Sequence, residues 1–235
     1  RGKFIASGVS GFVELTNTGT IVKTPNTGPE YEECRHELFL EAEIYRILGP
    51  HPRLIRVLDW DAQREVLTLE YMRRGTLKDF LASLPPHEST RSNYDDQISR
   101  EQRLRWAVQC AEGLELLHSH GVWHCDFKPK NILLDHEGGI RIVDFGGSSL
   151  HNSTPSAHPG SRFAPPSKAL EWGLRQDLFS LGSMIYTIMT GAEPYADRGS
   201  EEVVELFERQ YFPTTTHLLG GEIMRDCWLA RVTSA

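Results

Sequence analysis

The sequence predicts an α+β chain in two unequal parts, a small antiparallel sheet with one helix followed by a mostly helical remainder. Three observations carry the prediction. Residues 4–23 alternate apolar and polar positions between turn signals, as the strands of a meander do. A helical stretch of roughly twenty residues ending near Leu48 then interrupts the strands. From residue 75 onward the apolar spacing is that of helices, and no internal repeat is visible. At 235 residues, 39% of them hydrophobic and 24% charged, the chain is long and apolar enough to bury a substantial core.

In chain order, Phe4-Ile5-Ala6 enters a glycine-bearing bend and Phe12-Val13-Glu14-Leu15 leaves it. "TNTG" (Thr16 to Gly19) supplies a turn, and Thr20-Ile21-Val22-Lys23 is the next strand. The breaker cluster "TPNTGPE" precedes the helix, whose Leu38, Ala42, Tyr45 and Leu48 fall on one face. After "GPHP" two more strands are expected, Leu54 to Leu58 and Val66 to Tyr71, with polar Asp61 to Arg64 between them. A short helix is expected over Thr76 to Leu84, and a polar loop over "PPHESTRSNYDDQ". Ser99 followed by Gln102 has the capping-box form, in which each side chain meets a free backbone N–H at a helix start. Leu104, Ala107, Val108, Ala111, Leu114 and Leu117 are expected to form the apolar face of the helix that follows. Leu178 to Met189 is too short and too interrupted to span a bilayer, and reads as a buried core helix.

The formal charge of −7 and a pI near 5.8 argue against a broad nucleic-acid footprint. Four widely spaced cysteines, Cys34, Cys110, Cys125 and Cys227, match neither a zinc pattern nor a secreted disulfide framework. Free thiols in a reducing compartment are expected, the cytoplasm or the nucleus. The start, "RGKF", carries no basic-then-apolar leader, and no membrane partner is expected.

Chemistry gathers at three places. In "ASGVSGFV" (Ala6 to Val13) Gly8 and Gly11 would let backbone N–H groups approach phosphate oxygens, though such a bend alone is more often a plain hairpin. Lys23 lies ten residues beyond Val13 on the next strand. By itself it is an edge charge, and Glu41 by itself is one of several helix carboxylates.

The second place, "HCDFKPKN" (His124 to Asn131), is far more specific. Asp126 suits a carboxylate that accepts a proton from a hydroxyl, and Lys128 a cation that steadies a transferring phosphoryl group. Asn131 offers a hard amide oxygen for Mg²⁺. The third is "IVDFGG" (Ile142 to Gly147). Asp144 lies thirteen residues after Asn131 across the turn "DHEGG", so a hairpin brings both toward one ion. The plainer alternative, a polar loop between helix and strand, is hard to hold for both motifs together.

In that order these motifs resemble a eukaryotic-type protein kinase domain, over nearly the whole chain. The resemblance implies one domain, 1–235, with a bilobal fold: a small lobe over 1–71 and a mostly helical, abbreviated large lobe over 72–235. It implies that Gly8 and Gly11 form the glycine-rich loop, with Val13 above the base. Lys23 is then the phosphate-binding lysine and Glu41 its partner. "LEYMRRGTL" (Leu69 to Leu77) resembles the hinge, with Leu69 as gatekeeper and the backbone at Glu70 and Met72 facing adenine. Asp126 becomes the catalytic base, Lys128 the phosphate contact, and Asn131 and Asp144 the metal ligands. "DLFSLG" resembles the central helix of the large lobe, where Asp177 supports the catalytic loop, and "GAEPY" and "CW" follow in family order. Lys128, two residues after the base, is typical of the serine/threonine branch. The implied function is transfer of the γ-phosphate of ATP, with Mg²⁺, to hydroxyls of a protein substrate. Weighed beside it are a pseudokinase acting as a nucleotide- or partner-binding scaffold, and a small-molecule phosphotransferase.

The sequence departs from the family at several positions. Ala6 replaces the first glycine. Ile21 replaces an alanine that packs on adenine, and is expected to crowd that pocket. Ala164-Pro165-Pro166 lacks the structural glutamate, with Glu171 close by in sequence. The chain ends soon after Cys227-Trp228, which predicts a short large lobe, and "RFAPP" resembles a form found in small fungal kinase-like proteins. Cys125 replaces the arginine that grips a phosphorylated loop residue. Phosphorylation at Ser148, Ser149, Ser153, Thr154 or Ser161 is therefore expected to have little effect. A thiol made reactive by His124 is the less favoured reading of Cys125, after a small packed residue. His118, His120 and His124 fit no common zinc spacing.

Overall fold

Five strands pair into one antiparallel sheet in the order β1-β2-β3-β5-β4. They are β1 (Lys3–Gly8), β2 (Gly11–Leu15), β3 (Thr20–Thr24), β4 (Val57–Asp61) and β5 (Val66–Glu70). The computed structural model describes residues 3–8, 11–84, 98–166 and 173–235. The expected polar loop at 85–97 and Glu171 lie outside the described residues.

The sheet's geometry follows from its turns. The Thr16 hydroxyl accepts the Thr20 N–H at 3.1 Å and closes the β2–β3 turn. At the head of β2, Gly11 has φ +121°, and a Cβ there would stand 2.1 Å from the Thr24 carbonyl oxygen. No side chain fits that approach, so glycine is needed for the strands to meet.

Helix α1 (Tyr31–Leu48) crosses behind the sheet and buries Leu38, Ala42, Tyr45 and Leu48, the face its spacing predicts. Cys34, Ile44, Glu37 and Glu41 are buried with them. The next strand differs from expectation: it runs Val57–Asp61, not Leu54 to Leu58. Leu54 and Ile55 are drawn away to the large lobe, where the Ile142 N–H donates to the Arg53 carbonyl at 2.8 Å and Leu54 bridges Ile142. Further along, Trp60 meets Phe39 of α1 edge-to-face at 5.0 Å, which holds the later residues on the sheet.

Beyond the sheet come α2 (Leu77–Ala82), capped by the Thr76 hydroxyl, and α3 (Arg100–Ser119). The Ser99 hydroxyl accepts the Gln102 N–H as predicted, but Gln102 does not reach back; its amide donates to the Gly138 carbonyl at 3.0 Å. The buried face of α3 is also rotated. Leu104 and Val108 are 38% and 55% exposed, while Trp106, Cys110, Leu114 and Leu117 are buried. Trp106 decides this: it has the larger apolar surface, and its indole N–H reaches the Gly138 carbonyl at 2.7 Å.

Two short ladders flank α3. β6 (Val122–Trp123) pairs with β9 (Ser149–Leu150), and β7 (Ile132–Leu134) pairs with β8 (Ile140–Ile142). Helix α4 (Leu174–Thr190) is buried along most of its length, containing the predicted core segment. α5 (Ser200–Glu208) and α6 (Gly221–Trp228) complete the large lobe, and the Trp228 indole donates to the Ser183 hydroxyl at 2.9 Å. One hydrophobic cluster runs from Leu38 of α1 to Trp228. Among the described residues no helix is long and apolar enough to cross a membrane.

Candidate active site

Lys23 enters the cleft because β3 lies between β2 and β5, with Val13 opposite it on one side and Leu67 on the other. Its ammonium sits 2.5 Å from Glu41 Oε2 and 3.1 Å from Asp144 Oδ1. Lys23 is 7% exposed and Glu41 fully buried. Burial works against both charges. It pushes the Glu41 carboxyl above its ordinary range, an effect Lys23 only partly offsets. It would likewise lower Lys23, but the Glu41 and Asp144 carboxylates outweigh it and hold the ammonium above its ordinary value. The Lys23 direction governs the pair, because its ammonium faces two carboxylates and Glu41 only one cation.

Asp144 is held below its ordinary value, chiefly by the charge of Lys23. Its side chain remains 43% exposed, so solvent screens this contact more than the Lys23–Glu41 one. Asp144 has φ +74°, a left-handed conformation that aspartate tolerates. The next residue, Phe145, is buried against Tyr45 of α1 at 5.0 Å between ring centroids.

The residues of the "HCDFKPKN" segment form a second group. Lys128 Nζ lies 2.7 Å from Asp126 Oδ2. The Asn131 amide donates to the same oxygen at 3.0 Å and to the Asp126 carbonyl at 2.9 Å. Asp126 Oδ1 is buried with no partner among the described residues. One backbone bond joins the two groups: the Val143 N–H, beside Asp144, donates to the Asn131 carbonyl at 3.1 Å. The β7–β8 hairpin, with Ile132 opposite Ile142, thus sets Asn131 and Asp144 at the same end.

At the other side of the cleft, Gly8 pairs with Gly11 where β1 meets β2. Leu69 is buried and lies cross-strand from Ile21, which is only half-buried. The Glu70 N–H is committed to the Arg56 carbonyl at 3.0 Å, so that residue offers no free donor. Met72 accepts the Gly75 N–H through its carbonyl, and no backbone group of a described residue takes its own N–H. A cavity of about 570 Å³ lies away from all of this, between α1 and the strands β4 and β5.

Beneath the loop, Asp177 accepts the N–H groups of His124 and Cys125 at 2.8 and 2.9 Å and lies 3.0 Å from His118 Nε2. Sequence reasoning missed Gln176, whose amide donates to the Cys125 carbonyl at 2.6 Å. The available signal was a polar pair, Gln176-Asp177, entering an otherwise apolar helix. Between these bonds Cys125 is held at φ +63°. Its thiol is pushed up to about 12 by burial and then by the Asp177 charge, the opposite of activation by His124. The three histidines serve separate partners: His118 meets Asp177, His120 meets the Leu116 carbonyl, and His124 meets the Val143 carbonyl. Of the loop hydroxyls expected to be phosphorylated without effect, Ser148 and Ser149 are at most 1% exposed and are closed to a modifying enzyme. Ser148 instead donates to the His124 carbonyl at 3.1 Å.

A small sheet carrying a carboxylate-backed lysine, hinged to helices that present an aspartate loop, defines the class: a protein kinase domain. The chain belongs to that family, whose model, described as Protein kinase domain, matches residues 3–224. It is 32% identical over 154 residues to Probable serine/threonine-protein kinase CPE1738 of Clostridium perfringens, covering 62% of this chain and 21% of that protein. To Serine/threonine-protein kinase GIN4 of Saccharomyces cerevisiae it is 30% identical over 195 residues, covering 76% of this chain and 15% of that protein. The chain therefore matches only a fraction of the length of these curated relatives.

Proposed function

We propose that the domain is a catalytically active serine/threonine protein kinase that uses ATP and Mg²⁺, with its lobes meeting at the hinge (1–71 and 72–235). The observation that carries this reading is the state of Asp126. One of its oxygens is fixed by Lys128 and Asn131, and the other is buried and without a partner among the described residues. Its acceptor capacity is unspent, which suits this carboxylate to a substrate hydroxyl. It orients the hydroxyl and takes its proton as the new P–O bond forms and the bond from the γ-phosphorus to the ADP oxygen breaks.

Lys23, backed by Glu41, keeps its charge for the phosphates, and Lys128 steadies the moving phosphoryl group. Val13, Gly8 and Gly11 would cover the nucleotide, and Met72 and Glu70 would border adenine. The donor set also fits magnesium. Asn131 spends its amide N–H₂ on Asp126, which leaves Oδ1, and Asp144 keeps Oδ2 clear of Lys23. Two hard oxygens shared with phosphate suit Mg²⁺, which supplies charge neutralisation when bound. Lys128 and the names of the relatives support the serine/threonine branch. Four buried cysteines, none in a disulfide among the described residues, support a reducing compartment, the cytoplasm or the nucleus.

The test is to incubate the domain with labelled ATP, Mg²⁺ and a generic protein substrate, beside Asp126→Asn and Lys23→Met. Transfer by the parent chain, lost in both variants, is the expected outcome. Nucleotide binding by the parent chain without transfer would establish a pseudokinase scaffold instead.

A further inference from the structure

A cavity of about 230 Å³ opens beside the catalytic loop, and its wall charge is opposite to that of the whole chain. Lys78 of α2, Lys128, Lys130 and Arg162 line it, against one carboxylate, Glu193, in a chain of net charge −7. Lys128 is paired with Asp126. Arg162 spends its Nη2 on the carbonyls of Tyr195 and Arg198, and no carboxylate pairs with it among the described residues. Lys78 and Lys130 are exposed, and neither has an ion-pair partner among the described residues. The floor is apolar, with Pro129 and Phe163 buried.

We propose that this cavity receives a carboxylate side chain of the protein substrate, so that the domain selects hydroxyls flanked by acidic residues. The inference rests on the kinase reading of the cleft. Lys128 ties the two places together, since it lines the cavity and touches Asp126 at 2.7 Å. An extended peptide advances about 3.3 Å per residue. With its hydroxyl at Asp126, residues within about three positions of the acceptor reach Lys78 and Lys130. Non-specific attraction to a chain of charge −7 would favour basic peptides. A preference for acidic ones can come only from local charge such as this.

The test uses three fluorescein-labelled peptides of equal length with one central serine, flanked by glutamate, alanine or lysine. Binding to the domain is read by anisotropy with Mg²⁺ and a non-hydrolysable ATP analogue. The glutamate peptide is expected to bind about tenfold more tightly than the lysine peptide, a margin that narrows with added salt. Lys78→Glu/Lys130→Glu is expected to abolish the preference and Lys78→Gln/Lys130→Gln to reduce it. Equal binding, tighter binding of the lysine peptide, or a preference that survives the charge reversal overturns the assignment. Label transfer to the same peptides separates this inference from the one beneath it. Transfer without charge preference sinks the cavity assignment and leaves the kinase; a charge-dependent preference in binding without any transfer does the reverse.

Discussion

Lys23 and Glu41 meet at 2.5 Å although eighteen positions separate them in the chain. Both are buried, so removing one partner strands the other's charge out of water. Glu41 is the worse one to strand, because it is fully buried and Lys23 is its one cation among the described residues. Lys23→Met should destabilise the fold by about 3–5 kcal/mol in urea unfolding. Lys23→Met/Glu41→Leu should recover part of that loss. If the double variant is less stable than the single one, the buried charge is not the cause.

Asp177 holds the loop before Asp126 through the backbone N–H groups of His124 and Cys125. Asp177→Asn keeps the shape but turns one acceptor into a donor facing a donor. A loss of about 1–3 kcal/mol is expected by thermal unfolding. Transfer should fall while nucleotide affinity holds, since Lys23 and the hinge are untouched. An equal fall in both would show that Asp177 acts on the whole cleft.

Burial pushes the thiols of Cys110, Cys125 and Cys227 up to about 12, and Cys34 is buried as well. The native domain at pH 8 should therefore give almost no fast reaction with a thiol-titrating disulfide reagent. In guanidinium all four thiols should react. Rapid modification of Cys125 in the folded state would reopen the reactive-thiol reading.

The folded Asp144 carboxyl lies below its ordinary 3.8 because Lys23 favours the ionised form. A depressed folded value contributes stability above the ordinary value, and that contribution is lost as pH falls through the folded one. Parent and Asp144→Asn chains should therefore differ most in Tm at neutral pH and converge below about pH 4. A gap that widens on acidification would contradict the ion pair.

Local chemistry made much of this chain legible. The "TNTG" turn, the Ser99 cap and the "DHEGG" hairpin each depend on a few adjacent residues, and the structure has each of them. What went astray depended on distant partners. β4 starts late because Ile142 recruits the backbone at Arg53, and α3 is turned because Trp106 finds the Gly138 carbonyl. Gln176 was passed over because its partner lies 51 positions away.

By itself the sequence determined the order of the parts and the chemical type at each position: which lysine, which carboxylates, which amide. Only tertiary structure decided their state. It paired Lys23 with Glu41 and Asp144, left Asp126 Oδ1 buried without a partner among the described residues, and buried Cys125 beside Asp177. The physical reason is that residue type sets what a group can donate, accept or carry. Whether it stays charged, paired or available depends on desolvation and on partners that the fold brings from elsewhere in the chain.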